Sequence, residues 1–312
     1  MVLLPLLLAC SNDYGVTVQP DPEVVQANDD PVTVIFLTEG VPADIIFYGD
    51  TSDSMTRRLI NLADNLESFA DRLGDLASDW HLIAVTGPSG CGIGGVLTSD
   101  DPDYVAKFSA GITTKPTDDT QDEMGLQNVA EAVIQANGGC NTGFLREEAV
   151  LHIIILSDED DESPGWDTNP SGYWGTYVDT IIAAKGNPEK VLISTIGGPV
   201  PDGCSNADPA HGYWDAVLAT GGEFLSICEE WDGELSSLAD ISITIDTFVL
   251  QGTPDPDTIE VQVEGAVVTN WAWAPAQNAV VFTSDPPFGG QEVAITFVPK
   301  LDTTSSSSTA SE

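Results

Sequence analysis

The sequence predicts an α/β protein with a doubly wound, mostly parallel sheet, followed by a small C-terminal all-β sandwich. Three observations carry this prediction. From about residue 32 to 240, apolar runs such as DIIFYG and VLHIIIL alternate with stretches of helical spacing. That alternation belongs to a parallel sheet buried on both faces by crossover helices. After residue 240 the runs shorten, turn residues separate them, and no helical spacing remains. Finally, two of the apolar runs end in clusters of carboxylate and hydroxyl side chains. Such sheets bind ligands outside the carboxyl ends of their strands.

The elements follow in order. Residues 1–10, MVLLPLLLAC, resemble the signal peptide and lipobox of bacterial lipoproteins, in which Cys10 would carry the lipid. That resemblance implies a lipid-anchored protein of the cell envelope, and Ser11 is compatible with sorting to the outer membrane or cell surface. No other stretch approaches the roughly 18 apolar residues that span a bilayer. Residues 11–31 are polar and read as a flexible tether. VTVIFL and DIIFYG read as strands opening the α/β domain, residues 32–240. Next, Leu59, Leu62, Leu66, Phe69, Leu73 and Leu76 recur every three or four residues, on one helix face. WHLIAVTG is a strand that runs into a Gly-rich loop around Cys91. QDEMGLQNVAEAVIQAN is a helix closed by Gly138 and Gly139. VLHIIIL and VLISTIGG are strands, YWGTYVDTIIAAKG and HGYWDAVLATGG helices, and EFLSIC a strand. Residues 241–300 supply the sandwich strands ISITIDTFVL, TIEVQVEG, VVTNWAW, AVVFT and EVAITFV. Residues 301–312 are a polar, disordered tail.

Fifty acidic residues against nine basic ones give a net charge of −41. Such a surface repels phosphate backbones, so nucleic acid is excluded as a partner. The acids are scattered, which fits solubility in salt as well as attraction of cations. Without Cys10 four cysteines remain, an even number that suggests two disulfides in an exported protein. Cys204 and Cys228 both follow strands of one parallel sheet and fall on the same rim, so they pair. Cys91–Cys140 follows by elimination and requires the Gly-rich loop to reach toward the opposite rim.

Three polar segments converge at the strands' carboxyl ends: Asp50-Thr51-Ser52-Asp53-Ser54, the loop ending at Thr120, and Ser157-Asp158-Glu159-Asp160-Asp161. Hard oxygen ligands without His or Cys favour Mg²⁺, Mn²⁺ or Ca²⁺. Two carboxylates at adjacent strand ends repel unless a cation lies between them. Arg57 and Arg58 are near in sequence but belong to the following helix. Helix capping competes with metal binding for the hydroxyl residues. Ser52 and Ser54 could cap the helix that follows them, and Thr120 with Glu123 forms a Thr-x-x-Glu capping box.

DIIFYGDTSDSM resembles the opening of a von Willebrand factor A domain and its metal-ion-dependent adhesion site. Asp50, Ser52 and Ser54 match the family's Asp-x-Ser-x-Ser, Thr120 its threonine before a helix, and Asp158 its aspartate after the central strand. FLREEAVLHIIILSDEDDES resembles a lipoprotein branch of the same family. Asp53 and Glu159 stand where the family commonly has glycine. The resemblance implies a metal-dependent binding protein rather than an enzyme. A carboxylate from a protein partner would complete the metal shell. A scaffold with a purely structural metal and a metal-dependent hydrolase are the alternatives.

No Gly-x-Ser-x-Gly elbow, P-loop or Rossmann fingerprint is present. His81 and His152 are expected to pack in the core. Trp271 and Trp273 alternate on one strand face, suiting either a sandwich core or a sugar platform.

Overall fold

The computed structural model describes residues 16–18, 31–38, 42–75, 79–115, 123–231, 235–242, 247–287 and 291–300. Cys10, Leu76, Thr120 and the C-terminal tail lie outside them. The described residues form two compact units, one from 42 to 242 and one combining 16–38 with 247–300. The first is therefore inserted, in sequence, within the second.

The α/β unit is built on a six-stranded sheet. Its strands are β3 (Ala43–Gly49), β4 (Trp80–Val85), β5 (Leu97–Thr98), β6 (Val150–Leu156), β7 (Val191–Gly197) and β8 (Phe224–Ser226), in the order β5-β4-β3-β6-β7-β8. All pairings are parallel except that of the two-residue edge strand β5. The helices are α1 (Thr56–Asp75), α2 (Tyr104–Ile112), α3 (Gly125–Ala136), α4 (Tyr173–Lys185), α5 (Tyr213–Thr220) and α6 (Leu235–Ile241). The expected α/β sheet is thus present, with α2 and α6 as additional short helices.

Every residue of β3 is buried, as a central strand covered on both faces must be. On one face Phe47 makes edge-to-face contacts with Phe69 of α1 and Phe108 of α2, with ring centroids 5.2 Å apart in each case. The leucine stripe of α1 is buried there as its spacing predicts: Leu59, Leu62, Leu66, Phe69 and Leu73 are at most 3% exposed. On the other face Ile46 and Tyr48 join Ile153, Ile155 and the apolar side of α3. Gly49 ends β3 where a Cβ would lie 2.5 Å from Leu59 and 3.0 Å from Ile112. Its bare backbone lets α1 and α2 close over the strand just before Asp50.

Both disulfides pair as expected, Cys91–Cys140 and Cys204–Cys228. The first is reached because the Gly-rich loop folds back onto α3. Gly90, at φ +64°, passes so close that a Cβ would sit 2.4 Å from the Ala132 nitrogen. Asn141 then pins the loop: its amide donates to the carbonyls of Gly90 and Ala132 and accepts from the Gly92 N–H.

The β unit corrects the expected boundaries. It contains β1 (Val16–Val18), β2 (Val32–Thr38), β9 (Thr247–Val249), β10 (Glu260–Val263), β11 (Ala266–Val268), β12 (Trp271–Ala274), β13 (Ala279–Phe282) and β14 (Glu292–Phe297). They form two antiparallel sheets, β1-β2-β14-β10-β11 and β12-β13-β9. VTVIFL, expected to open the α/β domain at residue 32, instead pairs antiparallel with β14. Its burial alternates: Phe36 is 1% exposed, Ile35 42%. One-sided burial suits an antiparallel sheet and not the interior of a parallel one. Within the expected tether, Val16–Val18 pairs with β2. ISITIDTFVL, expected as one strand, divides between the end of α6 and β9. Phe36 and Phe248 meet edge to face at 5.3 Å, joining the two sheets of this unit. Trp271 and Trp273 pair with the buried Phe282 and Val280 and are themselves half-buried.

Candidate metal centre at the carboxyl rim

β3 and β6 are adjacent and parallel, in register through Gly49 and Leu156. Asp50 and Ser157 follow directly, and Asp158 comes one residue later on the same rim. Asp50 is 2% exposed and Asp158 6%. The loop after β3 turns at once, because the Ser52 N–H donates to Asp50 Oδ1 at 2.7 Å. This local Asp turn brings both serine hydroxyls over the strand ends. Ser52 Oγ donates to Asp50 Oδ2 at 3.1 Å and lies 2.9 Å from Ser54 Oγ. Ser54 Oγ donates to Asp158 Oδ1 at 3.2 Å. Ser157 Oγ approaches Asp50 Oδ2 at 3.5 Å. A continuous chain of oxygens thus joins Asp50, Ser52, Ser54 and Asp158.

For Ser52 this geometry answers the capping question. Ser52 stands at the N-terminus of the short 3-10 turn Asp53–Met55, yet its side chain caps nothing. Both hydroxyls are spent on the aspartates. α3 begins at Gly125 with Met124 at its N-cap position and no cap from the Met124 side chain; Thr120, the other half of the expected capping box, lies outside the described residues. The first turn of α3 is capped from α5 and from the loop after β6. The N–H groups of Gly125, Leu126 and Gln127 donate to Tyr213 Oη, Asp161 Oδ1 and Ser163 Oγ. Glu123 is instead buried beside the Asp50 carboxyl. Sequence reasoning assigned Glu123 only to the capping box. Its place just ahead of a helix whose N-terminus faces the rim was the available signal.

The electrostatics are strongly negative. Burial pushes the Asp50 carboxyl above the usual range, and the neighbouring Asp158 charge adds to this. Glu159 is raised too, by burial and then by Asp50, Asp158, Asp208 and Glu162. Asp53 points outward, with Lys115 Nζ 3.6 Å away.

One cation is already present. Arg58, one turn into α1, donates from Nη1 to Asp158 Oδ2 at 2.5 Å and from Nη2 to the Asn206 carbonyl at 2.9 Å. Its placement with the following helix was correct, but its separation from the oxygen cluster was not. Helical side chains lean toward the N-terminus, so this guanidinium reaches back over the first turn.

The donor set of carboxylates and hydroxyls is chemically suited to a hard divalent ion. Among the described residues, no group of three or more His, Cys, Asp or Glu side chains converges to hold a metal without the serines.

The histidines serve packing or loop contacts. His152 is wholly buried between Ser194 and Ser242, at 2.8 and 2.6 Å, and burial pushes its pKa down to about 3. This serine–histidine cluster has no access for a substrate. His81 is only partly buried and contacts the Phe144 carbonyl.

No family model matches the sequence, and no curated protein matches it. Among solved structures, the chain is similar to the pilus adhesin SpaC from Lactobacillus rhamnosus GG in its open conformation. That match has 13% identity and a TM-score of 0.44, covering 90% of this chain and 43% of that one. It is also similar to a von Willebrand factor type A protein from Catenulispora acidiphila, at 13% identity and a TM-score of 0.41, covering 86% and 61%. A third match is proximal thread matrix protein 1 from the mussel byssus, at 15% identity and a TM-score of 0.44, covering 68% and 51%. The chain thus spans about half the length of the structures it resembles.

Proposed function

We propose that the α/β unit is a metal-dependent protein-binding module of the von Willebrand factor A type, carried by a lipoprotein of the cell envelope. The observation supporting this reading is the oxygen chain Asp50–Ser52–Ser54–Asp158 at the carboxyl rim of a parallel sheet. Asp50, Ser52 and Ser54 would hold Mg²⁺, or Mn²⁺ or Ca²⁺, with Thr120 and Asp158 acting directly or through water. The bound ion would supply a Lewis-acidic position for a carboxylate of the partner protein. The chain's own residues fix the donors: the Asp50 turn sets both serines, and burial keeps competing water from the aspartates. The function is binding, not catalysis.

The anchor in this reading is a lipid on Cys10, outside the described residues. Among those residues no helix is long and apolar enough to cross a membrane. Two disulfides accord with an oxidising compartment. A pull-down from cell-surface extract, with and without EDTA, tests the module. Capture of a partner only with divalent metal is expected, and capture that EDTA leaves unchanged would refute it.

A further inference from the structure

We infer that Arg58 is a tethered cation that competes with the divalent ion for Asp158, so that it sets the metal affinity of the site. This rests on the metal-binding reading above. Asp158 has two oxygens, and both are engaged. Oδ1 accepts from Ser54, within the donor chain, and Oδ2 accepts from Arg58. Arg58 is held in this position by more than one contact. Its Nη2 donates to the Asn206 carbonyl, and its Nη1 lies 3.6 Å from Met55 Sδ. Only 14% of its side chain is exposed.

Asn206 belongs to a loop fixed at two further points. The Asp208 N–H donates to the Asp158 carbonyl at 2.8 Å, and Cys204 is bonded to Cys228 at the end of β8. The guanidinium is therefore seated on a prepared acceptor pair, the Asp158 carboxylate and a carbonyl of a cross-linked loop.

Charge makes the two cations alternatives. Asp50 and Asp158 together offer two negative charges when ionised. A divalent ion on this chain balances both, whereas a guanidinium on the same carboxylate would then be repelled at contact distance. Arg58 satisfies Asp158 until a metal arrives and must withdraw from Oδ2 when it does. The Asn206 carbonyl loses its donor at that moment, so metal occupancy is reported to the loop between β7 and α5.

The test is titration of Mg²⁺ and Mn²⁺ into the wild-type chain, R58Q and R58K, read by calorimetry. R58Q removes the charge and should bind metal about tenfold or more tightly than wild type, within the usual range for coupled sites. R58K keeps the charge and should stay closer to wild type. In the wild-type chain, the Arg58 guanidinium N–H signals in ¹⁵N NMR should lose exchange protection when Mg²⁺ is added. This readout does not depend on any variant folding. The inference is overturned if wild type binds metal and R58Q binds no more tightly. It is equally overturned if Arg58 stays protected at saturating Mg²⁺. If neither wild type nor R58Q binds any divalent ion, the metal reading fails and this inference falls with it.

Discussion

The two ends of the central strand β3 each carry a buried aspartate, and they are treated differently. At the amino end Asp44 is fully buried and faces Arg146, which donates to it from the backbone N–H at 2.6 Å and from Nε at 2.8 Å. The same guanidinium also reaches Asp79 and the carbonyls of Ala43 and Asp79. Burial raises the Asp44 pKa, and the Arg146 contacts oppose that shift. This is a closed ion pair with its hydrogen bonds spent on the protein. At the carboxyl end Asp50 is surrounded by serine hydroxyls, a carboxyl group and the Asp158 charge, and among the described residues no cation touches it in this way. Arg58 engages the neighbour, Asp158, by one oxygen only. The amino end is organised for stability. The carboxyl end keeps its donors facing one another, and its cation, Arg58, rests on Asp158 rather than on Asp50.

Arg146→Ala should be the most damaging substitution. It leaves Asp44 buried without its counter-charge and should cost about 3–5 kcal/mol of unfolding free energy. Urea denaturation measures this; a loss below about 1 kcal/mol would mean the amino-end pair is not structural.

The carboxyl rim is braced by a cross-link as well as by the Arg58–Asp158 pair. Cys204 and Cys228 close a loop with a sequence separation of 24. Replacing both by serine should cost about 3 kcal/mol through loop entropy. It should also increase hydrogen exchange in residues 204–208. An unchanged denaturation midpoint would contradict this.

A smaller effect concerns Asp161, which caps α3 beside the rim. Burial pushes its pKa up to about 7, even though Leu126 and Ser163 donate to it. An acid with a higher pKa folded than unfolded holds extra protons in the native state. Its contribution to stability is full below the unfolded value of 3.8 and is lost as pH rises through about 7. Asp161→Asn should therefore gain roughly 2 kcal/mol relative to wild type between about pH 5 and about pH 8. Parallel denaturation curves for the two proteins at both pH values would refute the shift.

The carboxyl-end half of this contrast was legible in the sequence; the Asp44–Arg146 pair was not, because its members lie 102 positions apart. The α1 stripe was read correctly because a strongly periodic face can be buried in only one way. DIIFYG and VLHIIIL are continuous apolar runs, which marked them as buried strands of one parallel sheet with Asp50 and Asp158 at adjacent strand ends. The pairing Cys204–Cys228 came from the same parallel topology. VTVIFL was misplaced because its apolar content masked the alternation at Thr33 and Ile35, and because its partner β14 lies some 260 positions away, beyond any local signal. The helices α2 and α6 were missed for a different reason: they are nine and seven residues long, and no side chain caps the start of α2. Arg58 and Glu123 were assigned to local helix roles, whereas both act across the rim on residues brought there by the sheet.

The smallest effect on stability accompanies the largest effect on function. Asp50→Asn removes a charge that has no ion-pair partner among the described residues, so unfolding free energy should stay within about 1 kcal/mol of wild type or rise. The direct test is calorimetric titration of Mg²⁺ into wild type and D50N, with denaturation of both as the control. Wild type should show one binding event and D50N none, while their unfolding midpoints coincide. Equal Mg²⁺ binding by the two proteins, or no binding of Mg²⁺, Mn²⁺ or Ca²⁺ by wild type, would contradict a metal centre at this rim.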